Sequence, residues 1–435
     1  MFKAKFRLIS PLRVHCLVQP GVEFRETQAN HAFWERVATA VGAQHMRQDP
    51  NQHGLQYQST SSIDLPNDIA VLKQQLSVPR DAVCSTERGI EVTGVEWSLC
   101  DFGILLVETS LTVTISDQTA HDIERDVQAA ATEVNDRIVA DSYGTLCAAI
   151  KESPNYEDFV VFDNGEPIVH AWASRALIFD PAIEAGASHQ RQFAIDWLSN
   201  TRHSDEIVER LTTREITHSA DWMNYVYLKE TADNASEVKE NWKALLRAQF
   251  YYSAMGRIDG NLTEILSWSM SPSEDISTSK LRQQLRQEMD FAEALFLKKS
   301  EVGKYVNPGS RVETERILEV WDFDDVLADP VQMKLQICQT RLDTIESERA
   351  RSAGFFTDLI LMVIGVTSIL GTALAVVSLG RSASADPNQT VYDLGAGKLT
   401  TWIATQPMDV ILLISTIVSV LMVIAFVAAR KKSEQ

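Results

Sequence analysis

Two long apolar runs near the C-terminus constrain this chain more than any other feature. Leu359–Leu379 is 21 residues without a charge, and Val410–Ala429 is a second such run of 20. About 20 consecutive apolar residues is the length at which a helix spans the hydrocarbon core of a bilayer. The sequence therefore predicts transmembrane helices at 359–379 and 410–429, an extracytoplasmic loop at 380–409 and a basic tail at 430–435. Basic residues near the ends set the expected orientation. Arg349 and Arg351 precede the first run and Arg430, Lys431 and Lys432 follow the second, whereas the loop holds only Arg381 and Lys398. The expected location is thus an inner or plasma membrane with both termini cytoplasmic.

Charge is unevenly divided around these runs. The 435 residues carry a formal net charge of -19. Residues 351–435 hold six Lys or Arg and five Asp or Glu, so the first 350 residues carry -20. So acidic a body argues against nucleic acid as a partner, because phosphate contacts need local positive charge. It suits cations, or plain solubility. The five cysteines, Cys16, Cys84, Cys100, Cys147 and Cys338, are scattered without a CxxC pair, which reads as reduced core residues.

Residues 1–236 read as a mixed α/β domain. Lys3–Leu17 and Gly89–Ser116 are rich in Val, Ile, Leu and Thr, and Leu111–Ile115 alternates with the period of two that marks a strand. A helix is expected from Asp117, with Ile123, Val127, Ala130, Val134 and Ile138 on one face. Asp158–Asp180 reads as a hairpin turning at Asp163-Asn164-Gly165. Residues 237–358 read as a helical region with a stalk. Its helices are expected at Glu237–Gly256, Asn261–Met270 and Ser277–Gly303, the last with a stripe of Leu281, Leu285, Met289, Ala292 and Phe296, before a break at Asn307–Ser310. Asp329 is a good N-cap with Pro330 in the first helical position. From Pro330 a single helix can run to Leu379. Leu335, Cys338, Leu342 and Ile345 form a short coiled-coil seam on it.

Motifs for chemistry are scarce. Asp322, Asp324 and Val326 make a DxDxV pattern that resembles the first motif of haloacid-dehalogenase-type phosphatases. Those enzymes place it after a strand, whereas Glu313–Val320 looks helical here, and the pattern reads as a solvated acidic turn. The nine histidines are dispersed, with no HExxH, GxSxG or Walker loop. No catalytic residue and no resident cofactor are identified, and an enzyme is the last expectation.

The first apolar run has one small or polar face, formed by Asp358, Leu361, Gly365, Ser368, Thr372 and Leu379. Small residues let helices pack closely in lipid, so this face suits an oligomer interface. It equally suits a pore lining, with Asp358 as a cation-selecting ring at the mouth.

This layout resembles the CorA family of divalent-cation channels: an acidic α/β domain, a helical region, a long stalk helix running into the first span, a loop, a second span and a basic tail. The resemblance is architectural over about residues 240–435 and looser before. It implies a homo-oligomer, a pentamer in that family, whose first span lines the pore, with a divalent cation as cargo. The family's Gly-Met-Asn signature is replaced here by Gly380-Arg381-Ser382 at the outer mouth; a ring of Arg381 would repel Mg²⁺. The expected function is a CorA-like ion channel or transporter gated by its cytoplasmic domain. The alternative is a membrane-permeabilising antiviral-defence effector of the same fold, activated by a nucleotide-like signal or a protein partner. The third is a non-conducting membrane-anchored scaffold.

Overall fold

The strand at Phe2–Arg13 (β1) organises everything around it. Its even positions, Ala4, Phe6, Leu8 and Leu12, are buried in one core, while Arg7 lies on the other side of the pleat against Glu108 and Trp242. Successive side chains on a strand point to opposite faces, so one strand can serve two layers. The computed structural model describes residues 2–18, 28–46, 69–76, 84–85, 89–116, 118–162, 167–180, 187–199, 202–219, 222–229, 236–270, 278–302, 308–385, 406–407, 409–410, 413–421 and 424. The chain divides into two units, Met1–Thr340 and Arg341–Gln435.

After β1 come Cys16–Val18 (β2), the helix Gln28–Val41 (α1), and the strands Gln44–His45 (β3), Ala70–Leu76 (β4), Cys84–Ser85 (β5), Ile90–Cys100 (β6) and Ile104–Ile115 (β7). The helices Ala120–Arg137 (α2) and Gly144–Glu152 (α3) follow, joined by a π turn at Ile138–Tyr143. Then come Val160–Phe162 (β8), Val169–His170 (β9), Ser174–Phe179 (β10), Ala187–Trp197 (α4), Ser204–Thr212 (α5), His218–Ser219 (β11) and Asn224–Leu228 (β12). The long helices are Ser236–Met270 (α6), Thr278–Val302 (α7), Pro308–Val320 (α8) and Asp329–Ala385 (α9).

Ten of these strands form one mixed sheet, in the order β11-β12-β10-β1-β7-β6-β4-β3, with β5 on β6 and β9 on β1. β10 and β12 run parallel, joined by the α4–α5 crossover, and the other pairings are antiparallel. A five-residue network locks that crossover. Arg175 bonds Asn224 and pairs with Glu124, Asn224 donates to the Trp197 carbonyl, and the Trp197 indole donates to the Tyr225 carbonyl.

Local chemistry explains where the elements begin. α2 starts after Thr119, whose hydroxyl accepts from the Asp122 amide while the Asp122 carboxylate accepts from the Thr119 amide. This reciprocal capping box satisfies two of the orphan donors of the first turn. The expected start at Asp117 lies outside the described residues.

Several expectations are corrected. The Asp158–Asp180 hairpin does not form: β8 pairs with β2 in a separate two-stranded sheet, and β10 lies between β1 and β12. The reason is burial, since β10 is covered on both faces at nearly every position and a hairpin would leave one face open. The Asp163–Gly165 turn lies outside the described residues. The two helices expected over Glu237–Met270 are one, α6, whose apolar face stays buried across the expected break at Ala254, Met255, Ile258 and Leu262. Asp329 is not a cap: it is helical (φ -64°, ψ -46°), fed directly by a π turn at Asp324–Ala328. A π turn offers a place where Pro330, which has no N–H to give, does not break the ladder.

The membrane layout is also corrected. Among the described residues no helix is long and apolar enough to cross a membrane. The first run lies within α9, where Gly365, Thr367, Ser368, Gly371, Thr372 and Ser378 dilute its apolar side chains. Part of the second run, and the loop at 386–405, lie outside the described residues. The fold class with two transmembrane helices, the CorA-like channel architecture and the inner-membrane location are therefore not what the described structure contains. It is a mixed-sheet α/β unit with long helices.

The β6–β7 connection, Asp101-Phe102-Gly103, is held from two sides. Lys298 of α7 pairs with Asp101 at 2.5 Å, both side chains 3% exposed. Arg257 of α6 donates to the carbonyls of Val14 and Gly103. Phe102 and Gly103 both have positive φ, 58° and 66°. A Cβ at Gly103 would meet the Arg257 guanidinium at 2.4 Å and the Val14 carbonyl at 2.7 Å. Gly103→Ala should therefore destabilise the fold by about 2–4 kcal/mol, combining a left-handed backbone with a steric clash. Lys298→Met, which leaves the Asp101 carboxylate buried without its ammonium, should cost about 3–5 kcal/mol, and adding Asp101→Asn should restore part of that loss. Urea denaturation of the three variants checks both expectations.

Candidate functional site

The first ten residues of α7 carry three cations and no acid. Between Thr278 and Gln287 stand Lys280, Arg282 and Arg286, alternating with Ser279, Gln283 and Gln287. Positions three and four apart share a helix face. Ser279, Arg282, Gln283, Arg286 and Asp290 thus fall on one stripe, opposite the face that buries Leu285, Ala292 and Leu295. The stripe opens onto a cleft of about 770 Å³ that also takes in Lys280, Gln287, Val161 of β8 and Phe291, which is 3% exposed.

The electrostatics of this cleft run against those of the chain. Its charged lining is Lys280, Arg282 and Arg286 against a single acid, Asp290, on a chain of net charge -19. Glu288, one residue beyond the cleft's Gln287, accepts a hydrogen bond from Asn261 of α6 at 3.2 Å. The helix N-terminus adds partial positive charge within the first turn. Guanidinium groups offer paired donors that match the oxygens of phosphate or carboxylate. The arrangement can therefore hold an anion over a partly apolar floor. It contains no nucleophile next to a base.

The thiols and phenol around Cys16, Tyr143 and Cys147 are not activated. His15 Nε2 lies 4.0 Å from the Cys147 thiol, and the Tyr143 hydroxyl accepts from the Cys16 amide at 3.0 Å. Burial pushes the Cys16 thiol well above its usual range. Burial likewise raises Cys147 against the opposing pull of the Tyr143 hydrogen bond and Lys151. Burial also raises the Tyr143 phenol. All three stay protonated near neutrality, the opposite of what an activated nucleophile needs. The DxDxV pattern is preceded by α8 rather than by a strand, and Asp324 is held by Lys299 at 3.1 Å.

The residues singled out from the sequence lie elsewhere. Asp358, Leu361, Gly365, Ser368 and Thr372 are exposed on α9, and the Thr372 hydroxyl donates back to the Ser368 carbonyl of its own helix. The side chains of Leu379, Gly380, Arg381 and Ser382 lie outside the described residues. Of the seam, Cys338 is fully buried, while Leu335, Leu342 and Ile345 are half-buried. The cleft was missed because the apolar stripe of α7 drew attention to its buried side. The signal lay in the same segment, Ser-Lys-Leu-Arg-Gln-Gln-Leu-Arg-Gln, three cations in nine residues of an acidic chain.

No family model matches the chain, and neither a curated protein nor a solved structure matches it.

Proposed function

We propose that this protein is a ligand-responsive regulatory module, whose α7 cleft binds a small anion of the phosphate or nucleotide class. The observation that carries this reading is the concentration of Lys280, Arg282 and Arg286 around a single cleft of a strongly acidic chain. An acidic surface repels anions at long range, so a basic cleft within it selects for ligands able to make close, charge-assisted contacts. Ser279, Gln283 and Gln287 add neutral donors and acceptors, and buried Phe291 offers an apolar surface suited to a base or sugar face.

The same helix connects the cleft to the fold. α7 carries Arg282 and Arg286 toward its start and Lys298, partner of Asp101, toward its end. A ligand that draws the first turns of α7 inward acts on a helix already anchored in the core.

Titration calorimetry with ATP, pyrophosphate and inorganic phosphate tests the reading. ATP or pyrophosphate should bind, and the affinity should fall as salt rises. Arg282→Ala combined with Arg286→Ala should weaken binding at least about tenfold, since a hydrogen bond to a charged group is worth about 1.5–3 kcal/mol. Asp290→Asn should strengthen it. Binding of none of the three anions, or equal binding by the double variant with an unchanged melting curve, overturns the proposal.

A further inference from the structure

We infer that His31, Glu35 and His45 form a binding site for one divalent transition-metal ion of the zinc class, separate from the α7 cleft. Glu35 Oε1 lies 3.1 Å from His45 Nδ1 and 3.8 Å from His31 Nε2. The two imidazole rings are 4.8 Å apart between centroids, inclined at 47°. One donor atom from each residue lies within 4.8 Å of the others.

The fold builds this cluster deliberately out of local rules. His31 and Glu35 are one turn apart on α1, so they share a face. α1 then ends in a Schellman motif: Gly42 has φ +67°, the Gly42 amide donates to the Thr39 carbonyl, and the Ala43 amide donates to the Ala38 carbonyl. That reversal brings the chain back so that His45 falls beside Glu35. His45 is then fixed by the sheet, since it pairs with Leu72 and the next amide, Met46, donates to Val71. Gln74, itself held by the Trp97 indole, donates to the Val41 carbonyl and secures the turn. The His45 side chain is 2% exposed and Glu35 is 53% exposed, so one side of the cluster is rigid and the other faces solvent.

The donor chemistry selects the ion. Two imidazoles and one carboxylate suit Zn²⁺ and its neighbours in the first transition row rather than Mg²⁺ or Ca²⁺, which prefer all-oxygen sets. Zinc bond lengths of about 2.0–2.1 Å place tetrahedral donors about 3.3 Å apart, between the two carboxylate-to-imidazole distances found here. Three protein ligands leave a coordination position for water or a further group on the exposed Glu35 side.

Titration of the full chain with Zn²⁺, and separately with Co²⁺ followed by its visible ligand-field absorption, tests the site. The expected result is one ion per chain. Glu35→Gln, at an exposed position, keeps the fold and should weaken binding by more than roughly a hundredfold, beyond the ten- to hundredfold typical of outer-shell partners. His45→Ala should abolish it, and His121→Ala, on the exposed face of α2, should change nothing. Zn²⁺ should raise the melting temperature of the wild type but not of Glu35→Gln. No ion taken up by the wild type, or undiminished binding in Glu35→Gln, overturns the inference.

Discussion

The buried pair between Lys298 and Asp101 is the interaction on which the arrangement of layers depends. Asp101 sits at the turn between the two long strands β6 and β7, and Lys298 sits near the end of α7. Desolvating two charges costs several kcal/mol per ion, which the mutual attraction recovers only with good geometry. The pair alone therefore adds little net stability over an apolar replacement, yet it admits only one docking of α7 on the sheet. Arg257 repeats the logic from α6, because its guanidinium reaches the carbonyls of Val14 and Gly103 and no apolar side chain could replace those bonds. Phe102, held at positive φ, turns its ring toward Phe250 of α6 and Phe291 of α7, so the turn is packed as well as bonded.

Much of the α/β unit was legible because periodicity reports burial directly. The alternation at Leu111–Ile115 is strand in β7, and the Ile123-to-Ile138 face is buried against the sheet. What failed was pairing. Nothing local distinguishes β10 as the neighbour of its own loop from β10 as the neighbour of β1 and β12, since that choice is made by the burial of both its faces. Two residues that propensity disfavours nonetheless stand within helices. Gly260 is helical within α6 with no heavy atom near the place a Cβ would take, and Pro330 follows a π turn rather than a cap. Propensity disfavours these residues in a helix by only about 1 and 3 kcal/mol, which tertiary contacts on either side outweigh.

The sites were less legible than the fold. A metal cluster can be read from sequence when its ligands share one element, as in HExxH. Here His31 and Glu35 do share a helix, but the third ligand arrives through a helix-ending reversal at Gly42 and a strand pairing with Leu72. Ten residues of sequence separate Glu35 from His45, and only the Schellman turn makes them neighbours. The membrane reading erred in the other direction. Apolar composition was read there from a sequence window, whereas among the described residues no helix is long and apolar enough to cross a membrane.

The charge of the chain takes on a different meaning once residues have positions. A net charge of -19 describes the field far from the molecule, where the many carboxylates sum. Within about 10 Å, the screening length at moderate salt, local composition decides. At the α7 cleft the three cations face one acid; at the α1 cluster a single carboxylate stands between two imidazoles. The long-range field gathers cations, which favours the metal cluster, and opposes anions, which the cleft must overcome by contact. One acidic surface thus makes metal capture fast and anion binding selective, and it does so without any residue common to the two sites.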